Sequence, residues 1–346
     1  MFYTLLRPLL FKLDPEFAHR ITFGVIQQIS KLGLLKNVSI SCQPRNVMGL
    51  TFPNPVGLAA GLDKNGEYLD ALATLGFGFI EIGTVTPRPQ PGNPTPRIFR
   101  VPEANAIINR LGFNNQGVEQ LVENIKRSNY QGILGINIGK NFDTPLKKAI
   151  NDYLIGLQKV YCHASYVTVN ISSPNTKDLR QLQAADALDQ LLGELKSEQA
   201  KLAQIHGKYV PMVVKIAPDL DQEQVESIAT LLLKHCVDGV IATNTTISRT
   251  GIEHLALAQV NGGLSGAPLT QRATVVIRQL HHFLRDAIPI IGVGGIMSAS
   301  DAQDKLSSGA SLIQLYTGLI YRGPDLVGEI AKTVCVDLKV NHREYG

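Results

Sequence analysis

The sequence predicts an α/β protein built as a closed parallel barrel, a (β/α)8 barrel, with a two-helix extension at its N-terminus. Strand-like and helix-like runs alternate eight times along the chain. The strand-like runs are apolar without alternation, which is typical of parallel strands covered by helices. Eight such units in about 250–300 residues are the expectation for a barrel. An open, doubly wound sheet is the alternative, although it does not favour this even count.

The composition is that of an ordinary soluble globular protein. The chain has 346 residues, 44% hydrophobic and 18% charged, enough for one large domain or two small ones. No uncharged apolar stretch approaches the roughly 20 residues that span a bilayer. Arg7 and Pro8 interrupt the apolar N-terminus and no small-residue cleavage site follows, so we expect no secretory signal.

Cysteine and histidine patterns predict neither a disulfide nor a metal site. The eight histidines are scattered, and His281-His282 lacks the spacing of metal ligands on one helix face. No two cysteines form a CxxC motif. We expect small buried residues in a reducing compartment at Cys42, Cys162, Cys236 and Cys335.

The net charge of +4 lies entirely in the first 50 residues. That segment contains six basic and two acidic residues, whereas the remaining 27 basic and 27 acidic residues cancel. It is also rich in Leu, Ile and Phe. This combination suits an anionic membrane surface better than nucleic acid, which would require a basic face on the main body.

Two short helices are predicted within this segment, over residues 3–12 and 15–32. Asp14 is the expected N-cap of the second helix, Pro15 its first residue and Gly33 its stop. Both helices are too apolar to stand free in water. They cap the main domain or contact a membrane, and one helix pair can do both. Apolar residues recur at every fourth position of the second helix, at Phe17, Ile21, Val25 and Ile29.

A short strand or hairpin at 46–54 precedes the alternating elements. Strands are predicted at 55–60, 78–83, 132–138, 165–171, 211–217, 239–243, 288–293 and 311–316. Helical patterns follow them, near 65–76, 115–127, 145–161, 185–206, 221–235, 269–284, 300–308 and 324–336. Residues 87–114 are predicted to be a long loop, Pro-rich at first, and loops this long in compact domains are usually functional.

The predicted strands end in polar residues. In a barrel the loops after the strands form one active face, and nearly every strand here ends in Gly, Asn, Thr, Ser or Lys. The run 167–176 is the clearest case. A β-branched strand stops at Pro174 and brings four polar side chains to the rim, Asn170, Ser173, Asn175 and Thr176. Alone this run is equally an ordinary turn; the recurrence at other strand ends predicts a site.

Glycine clusters near the last strands predict a phosphate cradle. Residues 292–295 read Gly-Val-Gly-Gly, 316–318 read Tyr-Thr-Gly, and 262–266 read Gly-Gly-Leu-Ser-Gly. The loops after strands seven and eight are the usual phosphate site of a barrel, and no Walker A or dinucleotide fingerprint is present. A phosphorylated cofactor held by a barrel is FMN or pyridoxal phosphate.

Lys215 bears on that choice. It lies inside the apolar run 212–216, where a lysine is costly unless an anion pairs with it. It would be the Schiff-base lysine of pyridoxal phosphate, or would stabilise negative charge on a reduced flavin. Uncharged hydrogen-bonding residues favour the flavin, at Thr84, Asn137, Asn170 and Thr243. A small anionic ring compound fits the lysine and amides that remain, Lys64, Asn109, Asn114, Asn175 and Asn244.

Five motifs together closely resemble the dihydroorotate dehydrogenase family. They are Gly61-Leu62-Asp63-Lys64-Asn65-Gly66, Gly83-Thr84-Val85-Thr86-Pro87, Asn109-Arg110-Leu111-Gly112-Phe113-Asn114-Asn115, Asn170-Ile171-Ser172-Ser173-Pro174-Asn175-Thr176 and Gly292-Val293-Gly294-Gly295-Ile296. The similarity runs from about residue 40 to the C-terminus, and residues 14–20 extend it into the N-terminal helices. It implies an FMN-containing (β/α)8 barrel that oxidises dihydroorotate to orotate in pyrimidine synthesis.

The resemblance also implies a class within the family. The soluble class uses a cysteine base, whereas the membrane-associated, quinone-reducing class uses serine and carries an N-terminal helical extension. Ser173 stands at the base position of this chain, which has the extension. The similarity therefore implies a quinone-tunnel and membrane-associating segment over 1–40 and a catalytic barrel over 41–346. It further implies one FMN per chain and a monomer peripheral to the cytoplasmic face of the inner membrane.

Site residues follow from the same resemblance. It implies FMN contacts from Ala60, Gly61, Leu62, Asp63, Lys64, Thr84, Asn137, Asn170, Lys215, Thr243, Gly266, Gly295, Tyr316 and Thr317. It implies dihydroorotate contacts from Lys64, Asn109, Arg110, Leu111, Gly112, Phe113, Asn170, Asn175, Asn244 and Thr245. Ser173 would take the C5 proton while hydride passes from C6 to flavin N5. Because a serine is a poor base unaided, we expect a proton path through Thr176 and the surroundings of Phe113.

The quinone would reach the flavin through an apolar tunnel formed by the two helices. Its candidate lining residues are His19, Arg100 and Tyr316, although His19 can equally be a helix-surface histidine. One departure from the family is Lys177-Asp178, where Pro-Gly is frequent, and this leaves the stiffness of the loop open.

Three other functions are alternatives to that of a quinone-dependent dihydroorotate dehydrogenase. A soluble dihydroorotate oxidase using fumarate or NAD is disfavoured by the serine base and the apolar extension. A flavin-dependent tRNA dihydrouridine synthase would need a catalytic cysteine and a basic face, whereas residues 51–346 are neutral. A non-enzymatic phospholigand-binding barrel has no use for Ser173 or for buried lysines at two strand ends.

Overall fold

A closed barrel of eight parallel strands forms the centre of the protein, as predicted. The computed structural model describes residues 2–33, 38 and 40–341. Numbered along the chain together with the shorter strands introduced below, the barrel strands are β3 (Val56–Leu58), β4 (Phe79–Val85), β7 (Ile133–Ile138), β8 (Tyr166–Asn170), β9 (Met212–Ile216), β10 (Gly239–Ala242), β12 (Ile290–Val293) and β13 (Ala310–Leu315). β13 pairs with β3 and closes the barrel, which rules out the open sheet.

The barrel strands are buried on both faces, which explains their unbroken apolar sequences. Every residue of β8 and β9 is buried. Outward-facing residues pack under the surrounding helices in one large cluster, and inward-facing ones such as Phe79 and Tyr166 fill the barrel. The predicted hairpin is confirmed as β1 (Arg45–Val47) and β2 (Leu50–Phe52). Its Phe52 packs on Phe79, with ring centroids 5.1 Å apart, and plugs one end of the barrel.

The eight predicted barrel helices are confirmed, with one shorter than expected and one addition. They are α3 (Leu69–Ala73, the short one), α4 (Val118–Arg127), α5 (Ala149–Val160), α6 (Ala185–His206), α7 (Gln222–Lys234), α8 (Thr270–Leu284), α9 (Ala299–Ser307) and α11 (Asp325–Asn341). The addition is α10 (Thr317–Arg322), which begins directly after β13. Its glycine at position 318 and its six-residue length gave no helical period to detect.

Two helices precede the barrel, α1 (Phe2–Lys12) and α2 (Pro15–Lys31). Asp14 caps α2 as predicted: its carboxylate accepts a hydrogen bond from the Phe17 backbone N–H at 2.9 Å. Gly33, in the left-handed conformation at φ +69°, follows the end of the helix. Within the described ranges, no helix combines the length and the hydropathy needed to cross a bilayer.

The two N-terminal helices pack on the barrel with one face and leave an apolar face exposed. Arg7 donates to the carbonyl of Tyr321 at 2.7 Å, and Ala18 and Phe23 are buried. Leu5 is 72% exposed and Leu9 62% exposed. The stripe of Phe17, Ile21 and Val25 is also exposed. The helix pair therefore caps the barrel, and its exposed apolar face is the surface for which membrane contact is predicted.

The segment predicted to be a long loop, residues 87–114, contains a hairpin, so that prediction was wrong in part. Strands β5 (Ile98–Val101) and β6 (Ala106–Asn109) pair with each other, and β11 (Gly263–Gly266) joins them. The glycine cluster 262–266, predicted to contribute to a phosphate cradle, is therefore largely a strand. This small sheet has its own apolar core, which includes Ile108, Ile252 and Leu264, and it stands over the carboxyl ends of the barrel strands.

The cysteine prediction was wrong. Cys42 and Cys335 form a disulfide, with Cα atoms 5.2 Å apart and a sequence separation of 293. In the folded protein α11, which contains Cys335, lies beside the segment that follows α2 and contains Cys42. Only the tertiary fold brings the two thiols together. Cys162 and Cys236 are free but exposed rather than buried.

Candidate active site

A single cavity at the carboxyl ends of the barrel strands collects most of the predicted site residues. Its volume is about 930 Å³, including the open mouth. The predicted cofactor residues that line it are Ala60, Gly61, Lys64, Thr84, Lys215, Thr243, Gly266, Gly295, Tyr316 and Thr317. The predicted substrate residues that line it, besides Lys64, are Asn109, Leu111, Gly112, Phe113, Asn175, Asn244 and Thr245. Ser173 also lines the cavity, so the expected base faces the same space as both sets.

Several predicted residues lie behind the cavity wall instead. Asp63 is buried and its carboxylate accepts from the backbone N–H groups of Glu67 and Tyr68, at 2.9 and 2.8 Å. Burial raises the Asp63 pKa to about 6. These bonds brace the loop after β3. Others that do not contribute to the lining are Leu62, Arg110, Asn137, Asn170, Thr176, His19 and Arg100.

Three uncharged side chains at neighbouring strand ends form one hydrogen-bonded cluster. Asn170 Nδ2 donates to Thr84 Oγ1 at 2.9 Å and to Asn137 Oδ1 at 3.2 Å. Thr84 Oγ1 donates to Asn137 Oδ1 at 2.5 Å. Each comes from a different strand or strand end, β4, β7 and β8, which the barrel places side by side. The cluster holds Thr84 at the cavity surface in a fixed orientation.

Glu81, in the middle of β4, holds the cluster through a hydrogen bond with Asn137. This residue was not identified from the sequence. It is fully buried; its carboxylate accepts from Asn137 Nδ2 at 2.8 Å, Gln314 Nε2 at 2.7 Å and the Tyr166 hydroxyl at 2.9 Å. A carboxylate only accepts hydrogen bonds, so it fixes which end of the Asn137 amide faces the cluster. The signal was available: Glu81 interrupts an apolar strand just as Lys215 does.

Lys215 reaches the cavity from β9 and is 5% exposed. Among the described residues, the Lys215 ammonium group has no hydrogen-bonding partner. Burial lowers the pKa of its ammonium group, and the negative charge of Glu81 opposes that shift. A buried ammonium with no direct partner is costly unless a ligand brings an acceptor or negative charge to it.

The glycine-rich edge of the cavity allows close approach of a ligand to the backbone. Gly294 and Gly295 have φ values of +119° and +72°, and a Cβ on Gly295 would collide with Thr270. The Thr270 hydroxyl donates to the Gly295 carbonyl at 2.7 Å and holds the loop. Thr317, at the first position of α10, donates to Ser265 Oγ at 2.8 Å. Two glycines and the hydroxyls of Thr317 and Ser265 therefore meet at this edge of the cavity, where the phosphate cradle is predicted.

Ser173 lies at the opposite side, where the strand β8 gives way to the loop 171–178. Its Oγ accepts the Asn175 backbone N–H at 3.2 Å, which leaves its own proton free to be donated. Asn175 Nδ2 donates to Asn109 Oδ1 at 3.1 Å, so two of the predicted substrate amides hold each other. Near them, Asn244 Nδ2 donates to Ser172 Oγ at 3.0 Å. Ser173 is thus positioned by its own loop, and the amides by one another.

Arg180 braces this loop and was not identified from the sequence. Its guanidinium donates to the Ser172 carbonyl at 3.0 Å, to the Thr245 carbonyl at 2.8 Å and to Asp219 at 2.8 Å. One side chain therefore joins the loop after β8 to the loop after β10. No local sequence pattern indicates these contacts, because Asp219 and Thr245 lie 39 and 65 residues away from Arg180 in the sequence. Asp178 in this loop adopts the left-handed conformation, at φ +57°.

The two proposed proton-path residues have distinct environments. Thr176 is 5% exposed and its Oγ1 has no hydrogen-bonding partner within the described structure. Phe113 lines the cavity in the left-handed conformation, at φ +55°. The unpaired hydroxyl can accept or pass a proton, whereas Phe113 can only shape the space.

Lys64 is a partly buried lysine of the cavity wall, and its ammonium donates to the Gly61 carbonyl at 2.9 Å. Burial lowers its pKa to about 8. The Glu16 carboxylate on α2 opposes this shift and the Arg97 guanidinium adds to it. Lys64 is therefore mostly charged at neutral pH and loses its charge a little above it.

Of the three quinone candidates, only Tyr316 lines the cavity. Burial raises its pKa to about 12. His19 lies outside the lining, between α2 and the loop after β3; its Nε2 donates to the Leu62 carbonyl at 2.7 Å. Burial lowers the His19 pKa to about 4, so the ring is neutral at pH 7. Arg100 donates to the carbonyls of Phe11 and Leu13, at 3.2 and 2.8 Å, and fastens the junction of the two helices to β5.

Comparison with known proteins supports the sequence resemblance over almost the whole chain. The family model described as dihydroorotate dehydrogenase matches residues 43–338. A dihydroorotate dehydrogenase (quinone) of Nitrosospira multiformis is 66% identical over 335 residues, which cover 97% of this chain and 96% of that protein. One of Nitrosomonas eutropha is also 66% identical, with 97% and 98% covered.

The fold comparison agrees. The crystal structure of DHODH from Eimeria tenella in complex with ferulenol superposes with a TM-score of 0.86 at 37% identity, and covers 95% of this chain and 93% of that one. The ligand-free form from the same organism gives a TM-score of 0.85 at 38% identity, covering 94% and 95%. The shared fold, the matched residues and this level of identity establish that the chain belongs to the dihydroorotate dehydrogenase family.

Proposed function

We propose that this protein oxidises dihydroorotate to orotate in pyrimidine biosynthesis, with FMN as prosthetic group and a membrane quinone as electron acceptor. The observation that carries the proposal is that Ser173, Lys64 and the substrate amides face one cavity whose other edge holds the glycine cradle and Lys215. The family and the relatives named for their quinone acceptor support the same activity. They give no support to a fumarate- or NAD-linked oxidase or to a tRNA-modifying enzyme.

The cavity residues fit FMN. The phosphate would be held by the backbone of Gly294 and Gly295 and by Thr317, where a side chain in place of Gly295 would collide with Thr270. The ring would lie against the uncharged cluster, within reach of the unpartnered ammonium of Lys215. When bound, FMN would supply an acceptor for the hydride that leaves C6 of dihydroorotate and would pass its two electrons on to the quinone. Pyridoxal phosphate, by contrast, would leave the uncharged cluster without a role.

Lys64 and the amides would bind the substrate. The ammonium of Lys64 would pair with the carboxylate of dihydroorotate. Asn109, Asn175 and Asn244 carry both donors and acceptors for the N–H and C=O groups of its ring. The hydrogen bond from Asn175 to Asn109 at 3.1 Å and that from Asn244 to Ser172 at 3.0 Å orient the three amides before binding, which lowers the entropic cost of ordering them.

Ser173 would remove the proton from C5 of the substrate. Its Oγ is fixed by the Asn175 N–H, and it faces the cavity while being only 6% exposed. Because a serine hydroxyl has little basicity, the proton must move on as it arrives. Thr176, with its unpartnered hydroxyl, is the residue we propose for that exit.

The N-terminal helices would place the protein on the cytoplasmic face of the inner membrane as a peripheral monomer. The exposed leucines of α1 and the exposed stripe of α2 supply an apolar surface, and the basic excess of the first 50 residues suits anionic lipids. A quinone leaving the bilayer would pass between this extension, residues 1–40, and the barrel, residues 41–346. His19, Arg100 and Tyr316 remain its proposed contacts on that route.

The cofactor assignment is tested by releasing and identifying the bound chromophore. We expect one FMN per chain, identified by mass and by one phosphate, after heat denaturation of protein that was purified under flavin-replete conditions. Pyridoxal phosphate in its place, or a folded protein without chromophore, would contradict the proposal.

A further inference from the structure

Glu16 and Arg97 form a shielded ion pair between the N-terminal extension and the barrel. Glu16 lies in the first turn of α2, and Arg97 immediately precedes β5. Arg97 Nε and Nη2 donate to the Glu16 carboxylate at 2.9–3.1 Å. The Arg97 side chain is 13% exposed and the Glu16 side chain 28% exposed. Forked guanidinium–carboxylate geometry at low exposure makes this pair stronger than an ordinary surface ion pair.

The third guanidinium nitrogen of Arg97, Nη1, connects the ion pair to the wall of the cavity. This nitrogen donates to the carbonyls of Pro91 and Asn93, at 2.6 and 2.9 Å. Asn93 in turn donates from its backbone N–H to the Leu111 carbonyl at 3.0 Å and from Nδ2 to the Asn175 carbonyl at 3.4 Å. Leu111 and Asn175 line the cavity. A continuous series of hydrogen bonds therefore connects α2 to the substrate side of the site.

Both members of the pair also act on the charge of Lys64. Glu16 favours its ammonium form, Arg97 disfavours it, and Asp63 beside it favours it. His19, the other titratable group of α2 that faces Lys64, is neutral at pH 7 because its pKa is lowered to about 4. Of the two carboxylates that favour protonation of Lys64, Glu16 has the larger effect and Asp63 the smaller.

We propose that Glu16 is a positioning residue for dihydroorotate, so that α2 completes the substrate site as well as contributing to the quinone route. Glu16 fixes Arg97, which holds the cavity wall at Leu111 and Asn175, and the negative charge of Glu16 favours the protonated form of Lys64. This inference rests on the proposed pairing of Lys64 with the substrate carboxylate. One helix of the extension thereby serves both halves of the reaction.

The test is equilibrium binding of orotate, the reaction product, to the FMN-loaded protein, measured by calorimetry from about pH 6 to about pH 10. In the wild type, affinity falls as the pH rises through the Lys64 pKa, because the neutral amine no longer pairs with the carboxylate. Glu16→Gln removes a charge that raises this pKa. We expect its fall in affinity to begin about half a pH unit or more lower than in the wild type.

Arg97→Lys separates geometry from charge. Lysine keeps the positive charge but cannot bridge Glu16, Pro91 and Asn93 at once, since it lacks the planar fork. We expect orotate binding about tenfold weaker at neutral pH, as for loss of a buried charged hydrogen bond, with the pH midpoint unchanged. Glu119→Gln, which breaks an exposed ion pair with Lys159, is the matched control and should alter neither quantity. Thermal melting of each variant confirms that it is folded.

Lys64→Met distinguishes the possible failures. A wild-type fall in affinity that Lys64→Met abolishes and Glu16→Gln leaves in place would overturn the inference while keeping the role of Lys64. A wild-type profile without any alkaline fall would overturn both. A wild-type holoprotein that does not bind orotate would overturn the proposed function itself.

Discussion

At the scale of single residues, the site depends on a few groups whose charge or proton is held in an apolar surrounding. Lys215 was found from the sequence because a lysine interrupts an apolar strand. Glu81 carries the same signal and was missed, although it accepts three hydrogen bonds beneath the cluster. Arg180 could not be found in this way, because its role arises from contacts between loops that the fold brings together.

Replacing Ser173 tests the proposed base. In single-turnover mixing with dihydroorotate, Ser173→Ala should slow flavin reduction by about 10²–10⁴-fold, the usual contribution of a general base. Ser173→Cys should restore part of the rate, with a pH dependence that follows ionisation of the thiol. Flavin content should be unchanged in both. An alanine variant as fast as the wild type would remove Ser173 from the mechanism.

Replacing Lys215 tests the cofactor contact. Lys215→Met should purify with a much lower flavin-to-protein absorbance ratio, because the buried ammonium is proposed to meet the ring. Lys140 provides the matched control: it is also a buried lysine at a strand end, but its ammonium donates to the carbonyls of Asn141 and Thr144 and does not line the cavity. Lys140→Met should keep its flavin. Equal flavin loss in both variants would indicate general destabilisation instead.

At the scale of elements, the barrel strands and most of their helices could be predicted because they have apolar runs or amphipathic periods of their own. The sheet of β5, β6 and β11 could not, since β11 pairs with β6 from more than 150 residues away in the sequence. Proline and glycine in those segments also favoured a loop interpretation. The three-stranded sheet matters for function, because β6 ends in the cavity residue Asn109 and β11 contains Ser265 and Gly266.

The exposed face of the N-terminal helices gives a prediction at this scale. Leu5→Glu with Leu9→Glu should weaken binding to anionic phospholipid vesicles by roughly 100-fold, taking about 1.5 kcal/mol for each leucine that is no longer buried in lipid. The melting temperature should not change, because both side chains are exposed. Ile205, 73% exposed at the end of α6, is the control: Ile205→Glu should leave vesicle binding intact. Unchanged binding of the double variant would contradict the membrane assignment.

At the scale of the whole molecule, the chain closes on itself through Cys42 and Cys335. Sequence spacing argued against this bond, since a separation of 293 residues carries no local signal and only the path of α11 brings the cysteines together. A crosslink that closes so long a loop restricts the unfolded chain strongly. It joins the segment after the two helices to the last helix of the barrel.

Removing this disulfide should lower the stability of the entire protein. We expect Cys42→Ser to reduce the free energy of unfolding by about 3 kcal/mol, measured by denaturant titration in non-reducing buffer. The wild type should lose the same amount in reducing buffer, whereas the variant should not respond to reductant. Cys162→Ser, at an exposed free thiol, serves as the control. Identical stability of the wild type with and without reductant would contradict the crosslink.

Anaerobic mixing of the purified protein with dihydroorotate, followed by addition of a short-chain quinone, tests whether the protein passes electrons from dihydroorotate to a quinone. We predict that the flavin band at about 450 nm bleaches on mixing and returns with quinone, but not with fumarate or NAD. A band restored only by fumarate or NAD would keep the substrate and contradict the quinone route and the membrane assignment. A flavin-loaded, folded protein that dihydroorotate does not bleach would contradict the proposed reaction as a whole.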